Sequence, residues 1–291
     1  MLLLLQTIVN GIVDGLAYSL MSSGLTLVFG IGRVINFAHG ELFTLGAFIA
    51  IILVQNHFSY LFALLISIIL VGIVGVAIET LVIRRLRKLG ASIWSPFLAT
   101  LALLVILQSL YLIIFGPNPY ILNNPFAYTP INIFSITISG QDLIILIVFL
   151  ISVSSLSWFL KKTKYGIAMK AISQDREASL LMGINIEKIY KLTWLLGAIL
   201  SALAGILLTP KSTVDPYIGR VALLKGLCVV IIGGLGNVEG AILGGIFLGL
   251  TESLASVYLS PTFKDVFGYL FVILILLLRP RGILGKSLRR G

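Results

Sequence analysis

The sequence predicts an all-α polytopic membrane protein of about eight transmembrane helices, and three observations carry that expectation. Only 11% of the 291 residues are charged while 58% are hydrophobic, with a mean hydropathy of +1.10, a balance that excludes a soluble globular chain. Apolar runs of roughly 20 residues, the length that crosses a hydrocarbon core as a helix, recur from one end to the other. No ten-residue alternation of the barrel type is present, so each span must satisfy its own backbone as a helix. Residues 1–291 read as one transmembrane domain.

The candidate spans lie at about 3–29, 36–55, 58–83, 94–116, 142–160, 192–209, 222–236, 238–258 and 264–280. The first begins at once, lacks a basic n-region and an A-x-A site, and runs too long for a cleaved signal, so it is read as retained. Thr7, Asn10, Asp14, Tyr18 and Ser22 recur in it at steps of three or four, which gathers them on one face. Asp14 stands near mid-span, where a carboxylate is costly unless it faces protein or water. It either lines a route through the membrane or joins an interhelical hydrogen bond. The second and seventh stretches carry glycines or polar residues and fit broken or re-entrant segments. Glu79, one turn before Arg84, is expected to pair at the cytoplasmic boundary. The one cysteine, Cys228, rules out an internal disulfide and reads as a small packing residue. Glu252, in the outer half of its span, fits either a structural or a functional role.

Orientation follows from lysine and arginine. Arg84, Arg85, Arg87 and Lys88 mark one cytoplasmic loop, 161–191 a second, and Arg279, Arg281, Lys286, Arg289 and Arg290 a cytoplasmic tail. Residues 117–141 hold neither Lys nor Arg and four prolines, which fits an ordered external loop. The net charge of +10 is thus a matter of orientation, and no nucleic-acid partner is implied. One stretch breaks the rule: Lys211, Arg220 and Lys225 would face outward.

Two glycine-rich segments punctuate the spans, Gly24–Phe48 (GLTLVFGIGRVINFAHGELFTLGAF) and Gly226–Phe247 (GLCVVIIGGLGNVEGAILGGIF). The pair fits a weak internal repeat of broken helices at a transport pathway, and equally fits small-residue helix packing. His39 and Glu41 read as a hydrogen-bonded bend capping a half-helix. A metal site is not implied, because the other histidine, His57, belongs to an outer loop. The tail Pro280–Ser287 (PRGILGKS) imitates a phosphate loop but has proline where Gly-x4-Gly-Lys-Ser needs glycine, and it follows a span instead of a strand. With no Ser/His/Asp set, CxxC or HExxH, the chain is read as no enzyme, with no cofactor of its own.

Between Lys161 and Lys191, seven basic and three acidic side chains crowd into one amphipathic stretch. Within it Glu177-Ala178-Ser179-x3-Gly183 has the E-A-A-x3-G spacing that bacterial ABC importer permeases present to their ATPases, although Thr193-Trp-Leu-Leu stands where Ile-x-Leu-Pro would follow. A short helix ending at a glycine turn suits a groove of a soluble partner. INFAHGELFTLGAF, AISQDREASLLMGIN, Pro216-Tyr-Ile-Gly, GGLGNVEGAILGGIFLGLTESL, Tyr258-Leu-Ser-Pro-Thr-Phe-Lys-Asp and Arg279-Pro-Arg-Gly-Ile-Leu-Gly follow in order. Together they resemble the high-affinity branched-chain amino-acid ABC permeases of the LivH type, almost end to end.

The resemblance implies one permease domain in a bacterial cytoplasmic (inner) membrane, importing branched-chain or related neutral amino acids. Its implied partners are a second, LivM-like permease, two cytoplasmic ATP-binding subunits and an extracytoplasmic solute-binding protein. Permeases for urea or short-chain amides are closely similar, and an ion-coupled carrier with Asp14 as its site is the rival of another class. Ala171, Asp175, Glu177, Ala178, Gly183 and Asn185 are the implied ATPase-coupling residues. Asp14, Asn36, His39, Glu41 and Asn237 are the pathway candidates, since the N-terminal dipoles of broken half-helices suit a substrate carboxylate.

Overall fold

A computed structural model describes residues 2–92, 94–122, 129–133, 136–280 and 282–285. Arg281, Lys286, Arg289 and Arg290 of the expected tail, and 123–128 of the external loop, lie outside the described residues, as does part of the PRGILGKS comparison. Among the described residues seven helices are long and apolar enough to span: Leu2–Gly32, Tyr60–Lys88, Ser95–Phe115, Gly140–Lys162, Ile186–Lys211, Val238–Tyr258 and Pro261–Leu278. The described elements are α1 (Leu2–Gly32), α2 (His39–Gln55), α3 (Tyr60–Ile78), α4 (Arg84–Lys88), α5 (Ser95–Phe115), α6 (Gly140–Lys162), α7 (Lys164–Gln174) and α8 (Arg176–Leu181). They continue with α9 (Ile186–Leu208), α10 (Ile218–Gly233), α11 (Val238–Tyr258) and α12 (Lys264–Leu278), with a β1–β2 hairpin (Pro130–Ile133, Ile136–Ser139) outside.

The two stretches expected to be interrupted are the two that fall short. α2 has 17 residues and α10 has 16, about 25 Å of helix against a core of about 30 Å. Each follows a non-helical connector, 33–38 and 212–217. The His39 ring donates from Nε2 to the Met21 carbonyl at 3.0 Å, so α2 begins about 16 Å short of the cytoplasmic end of α1. α10 begins against it: Gly40 and Gly219, each the second residue of its helix, touch backbone to backbone.

The packing has inverted two-fold character. α1 runs antiparallel to α11, with Gly11 on Gly249, Gly15 on Gly245 and Gly30 on Gly236. α3 runs antiparallel to α9, where Tyr60 Oη donates to the Ile206 carbonyl at 3.0 Å and Gly75 meets Ala198. α10 lies on α1 as α2 lies on α9, and α1 and α9 pack together at Gly24 and Gly197. Exchanging α1 with α9, α2 with α10 and α3 with α11 reproduces these neighbours with every direction reversed, the inverted repeat of many transporters. The glycine-rich segments compared in the sequence are not the equivalent parts. One runs from α1 into α2 and the other from α10 into α11, and they pack on each other at Gly30 and Gly236.

Two ionic details differ from expectation or explain it. Glu79 pairs with Arg87 at 2.6 Å instead of Arg84, which pairs with Glu187 at the foot of α9. A π turn over Glu79–Ile83 adds one residue to the helical path, so the eight-residue step to Arg87 covers about two turns and puts that pair on one face. The outward lysines are neutralised. Lys211 sits between Asp14 (2.6 Å) and Asp142 (2.9 Å), and Lys225 between Glu252 (2.7 Å) and Asp265 (3.0 Å). Paired in this way they carry no free positive charge that would oppose an outer location.

The Lys225 cluster, completed by Tyr18 Oη donating to Glu252 at 3.0 Å, joins α1, α10, α11 and α12. Lys225→Met leaves two carboxylates without their cation and is expected to destabilise the bundle by about 3–5 kcal/mol. A lowered unfolding midpoint in detergent checks this, with substantial recovery in Lys225→Met/Glu252→Gln/Asp265→Asn.

Candidate functional site

The 161–191 arm, expected on the cytoplasmic side, is built by caps. Thr163 opens α7 by accepting from Gly166 N–H (3.0 Å), and Met169 and Ile172 bury its inner face. Asp175 closes α7, its N–H donating to the Ala171 carbonyl at 3.0 Å, and opens α8, its Oδ1 accepting from Ala178 N–H at 2.9 Å. Ser179 Oγ adds a bond to the Asp175 carbonyl at 2.7 Å. Gly183 then takes φ +77°, a left-handed turn that glycine adopts without penalty, and Asn185 caps α9 by accepting from Lys188 N–H at 3.0 Å. Five of the six expected coupling residues thus shape the arm through their backbone or caps. Glu177 stands exposed in the first turn of α8.

Sequence reasoning missed the apex of this arm. Leu181 and Met182 are 89% and 83% exposed, an apolar tip on an otherwise charged segment. The signal was there, an unpaired Leu-Leu-Met run ahead of the glycine turn. The arm is also anchored. Glu187, two residues into α9, pairs with Arg84 and with Lys88 (3.5 Å), and the Arg87 guanidinium lies 4.2 Å from the Tyr190 ring centroid. Lys188 Nζ donates to Tyr165 Oη at 3.0 Å, and that hydrogen bond holds the phenol below its ordinary pKa.

The second assembly lies where α1 gives way to α2. The chain turns at Arg33, a non-glycine residue with φ +50°, and its carbonyls are tied down from two sides. Thr100 Oγ1 donates to Ile35 O (3.2 Å), Tyr111 Oη to Glu41 O (2.9 Å) and Ser201 Oγ to His39 O (2.8 Å). Asn36, His39 and Glu41 are all fully enclosed, yet both amide atoms of Asn36, His39 Nδ1 and both Glu41 carboxyl oxygens have no hydrogen-bond partner. Ser23 and Thr26 on α1 and Gln108 Nε2 on α5 add to the set. Most of the unpartnered buried side-chain atoms among the described residues belong to these three elements, where native interiors leave few.

The structure therefore brings Asn36, His39 and Glu41 together at the α2 start. Asp14 stands apart, in the outer Lys211 pair. Asn237 is in the turn between α10 and α11, capping α11 by accepting from Gly240 N–H (3.1 Å) and donating to the Leu284 carbonyl (3.0 Å).

Residues 7–277 match a family model described as branched-chain amino acid transport system / permease component. The chain is similar to the high-affinity branched-chain amino acid transport system permease protein LivH of Salmonella typhimurium, at 32% identity over 97% of this chain and 96% of that protein. LivH of Escherichia coli (strain K12) is 30% identical and BraD of Pseudomonas aeruginosa 32%, each with the same coverage. No solved structure matches the chain.

Asp175→Ala removes the acceptor at the start of α8 and is expected to cost that helix about 1 kcal/mol. Amide exchange should quicken across 176–181 and stay unchanged in the spans.

Proposed function

The chain belongs to the branched-chain amino acid transport system permease family, and from that premise we propose how it imports its substrate. It is a multi-pass permease subunit of the bacterial cytoplasmic membrane, in an ABC importer for leucine, isoleucine, valine or related neutral amino acids. The end-to-end likeness to permeases of that activity carries the reading. In the proposed assembly the whole chain acts as one permease domain beside a second, LivM-like permease. Two cytoplasmic subunits hydrolyse ATP, and an extracytoplasmic binding protein delivers the amino acid to the hairpin side.

Coupling runs through packed elements. The Leu181–Met182 tip seats in a groove of the ATPase, as an apolar anchor in a charged surround. Ala171, Asp175, Glu177, Ala178, Gly183 and Asn185 keep α8 at a set angle to α9, so closure of the ATPase dimer moves the foot of α9. That helix is held against α2 where Ser201 bonds the His39 carbonyl and where Gly205 meets the Phe43 backbone. A shift of α9 therefore reaches the α2 start directly, as a rigid-element displacement.

At that start the N-terminal turns of α2 and α10 meet. Their dipoles suit the substrate carboxylate, and the unpartnered groups of Asn36, His39 and Glu41 offer polar contacts to a zwitterion. With Gly40 against Gly219 the junction is shut, and transport requires these turns to part. Asp14, with Lys211 and Asp142, guards the outer approach. Asn237 keeps the α10–α11 turn against the tail while the helices move.

Proteoliposomes holding the complete importer test this. Leucine uptake is expected to need ATP and binding protein, and to fall to background in Glu177→Ala/Gly183→Pro while the subunit still folds and inserts. Wild-type uptake by that variant removes the coupling role. Uptake that survives ATP depletion and collapses with an uncoupler removes the ABC reading itself.

A further inference from the structure

A cleft of about 440 Å³ opens on the cytoplasmic half of the bundle between α3, α6, α7 and α9, and nothing in the transport reading uses it. Its floor is apolar and lies within the spans: Val76 of α3, Phe159 of α6 and Leu195 of α9. Its rim is Tyr165, Lys188 and Lys191. Lys188 and Lys191 stand in the first two turns of α9, about 6–10 Å nearer the cytoplasm than Leu195. Basic residues at headgroup level thus overhang a greasy floor.

The two lysines are free to act on a ligand. Lys188 Nζ is steadied at the rim by Tyr165, 3.0 Å from the phenol oxygen and 4.9 Å from the ring centroid, which leaves two of its three donors. Lys191, half-buried, makes no hydrogen bond or ion pair among the described residues. Glu187, the acid in the first turn of α9, is engaged elsewhere, facing Arg84 and Lys88. An ammonium with no counter-ion among the described residues, one turn from another ammonium and above apolar side chains, calls for an anion that carries a hydrocarbon tail.

We propose that this cleft binds one anionic phospholipid, its phosphate between Lys188 and Lys191 and one acyl chain along Val76, Phe159 and Leu195. The apolar floor selects a lipid over a soluble phosphate or an acidic peptide, since only a membrane component reaches that depth. Basic pockets between spans on the cytoplasmic side are the usual setting for such headgroups. The bound lipid would bridge α7 to α9 at the root of the arm that carries α8.

The full-length chain, delipidated in detergent, is titrated with phosphatidylglycerol or phosphatidylcholine, and the adducts are counted by native mass spectrometry. One retained phosphatidylglycerol is expected, preferred about tenfold or more over phosphatidylcholine, from two lysines near the membrane surface. Lys188→Gln/Lys191→Gln should abolish the preference, and Lys188→Arg/Lys191→Arg should restore it. Leu195→Trp, which fills the floor and spares both lysines, should lower occupancy by either lipid. Equal retention of the two lipids by the wild type overturns the proposal. So does an unchanged preference in the Gln double variant, or displacement of the lipid by excess inorganic phosphate. If that variant instead loses an ATPase subunit on co-purification while keeping its lipid preference, the rim serves a protein and the proposal fails. Unfolding midpoints of all variants are measured alongside, and the Leu195→Trp arm decides if the Gln double variant does not fold.

Discussion

Close approach of helix backbones holds this bundle together. In lipid the hydrophobic effect does not draw one span to another, so association falls to van der Waals packing and interhelical hydrogen bonds. α1 meets α11 through Gly11, Gly15 and Gly30 on Gly249, Gly245 and Gly236, and a Cβ at Gly15 would stand 2.6 Å from the Gly245 carbonyl oxygen. Ser19 exploits the same closeness, its hydroxyl donating to the Ile242 carbonyl at 2.9 Å. Larger residues along this seam would separate α1 from α11. The hydrogen bonds and ion pairs that depend on their spacing, the Tyr18–Glu252–Lys225 set first among them, would be lost with it.

The same closeness lets two helices stop inside the membrane. A helix end in hydrocarbon leaves N–H groups that lipid cannot satisfy, so α2 and α10 can start at depth only where protein surrounds them. Each start is therefore wrapped: α2 by Met21, Thr100, Tyr111 and Ser201, and α10 by the α2 turn itself. The carbonyls of Ile35, His39 and Glu41 are bonded while the side chains of Asn36 and Glu41 are not. The proposed pathway role of Asn36 and Glu41 rests on that asymmetry. The backbone is fixed at the break, and the polar side chains are held there with capacity unspent.

Much of this was legible from composition. Hydropathy located the spans, and glycine or polar interruptions singled out α2 and α10 as the incomplete ones. The charge count singled out the arm. What escaped was whatever depends on distant residues meeting. Lys211 and Lys225 looked like violations of the charge rule because their carboxylates sit on other helices, Asp14 being 197 residues from Lys211. Glu79 was expected to pair at the boundary, but only the packed helix shows the π turn that brings Arg87 onto its face. The repeat was sought in matching glycines, yet the equivalence is one of topology: α1–α2–α3 and α9–α10–α11 share order and reversed direction, not motif. Asn36, His39 and Glu41 could be flagged as polar residues in an apolar run. Their lack of partners is a property of the packed structure alone.

In the proposed coupling, α9 is the element that joins the arm to the break. Its foot is gripped by Arg84, Arg87 and Lys88, its first turn is capped from the arm by Asn185, and its middle contacts the α2 start through Ser201 and Gly205. A displacement entering at α8 has no flexible segment to dissipate it, because Asp175 and Asn185 cap the helices on either side of a four-residue turn whose Gly183 is already in its required conformation. Packed helices in a dense interior switch between arrangements and do not deform smoothly. Under the proposed coupling a small movement of α9 either leaves the Gly40–Gly219 contact whole or breaks it outright. Such an all-or-none response is what an importer driven by a hydrolysis cycle requires, since a half-open junction would leak solute down its gradient.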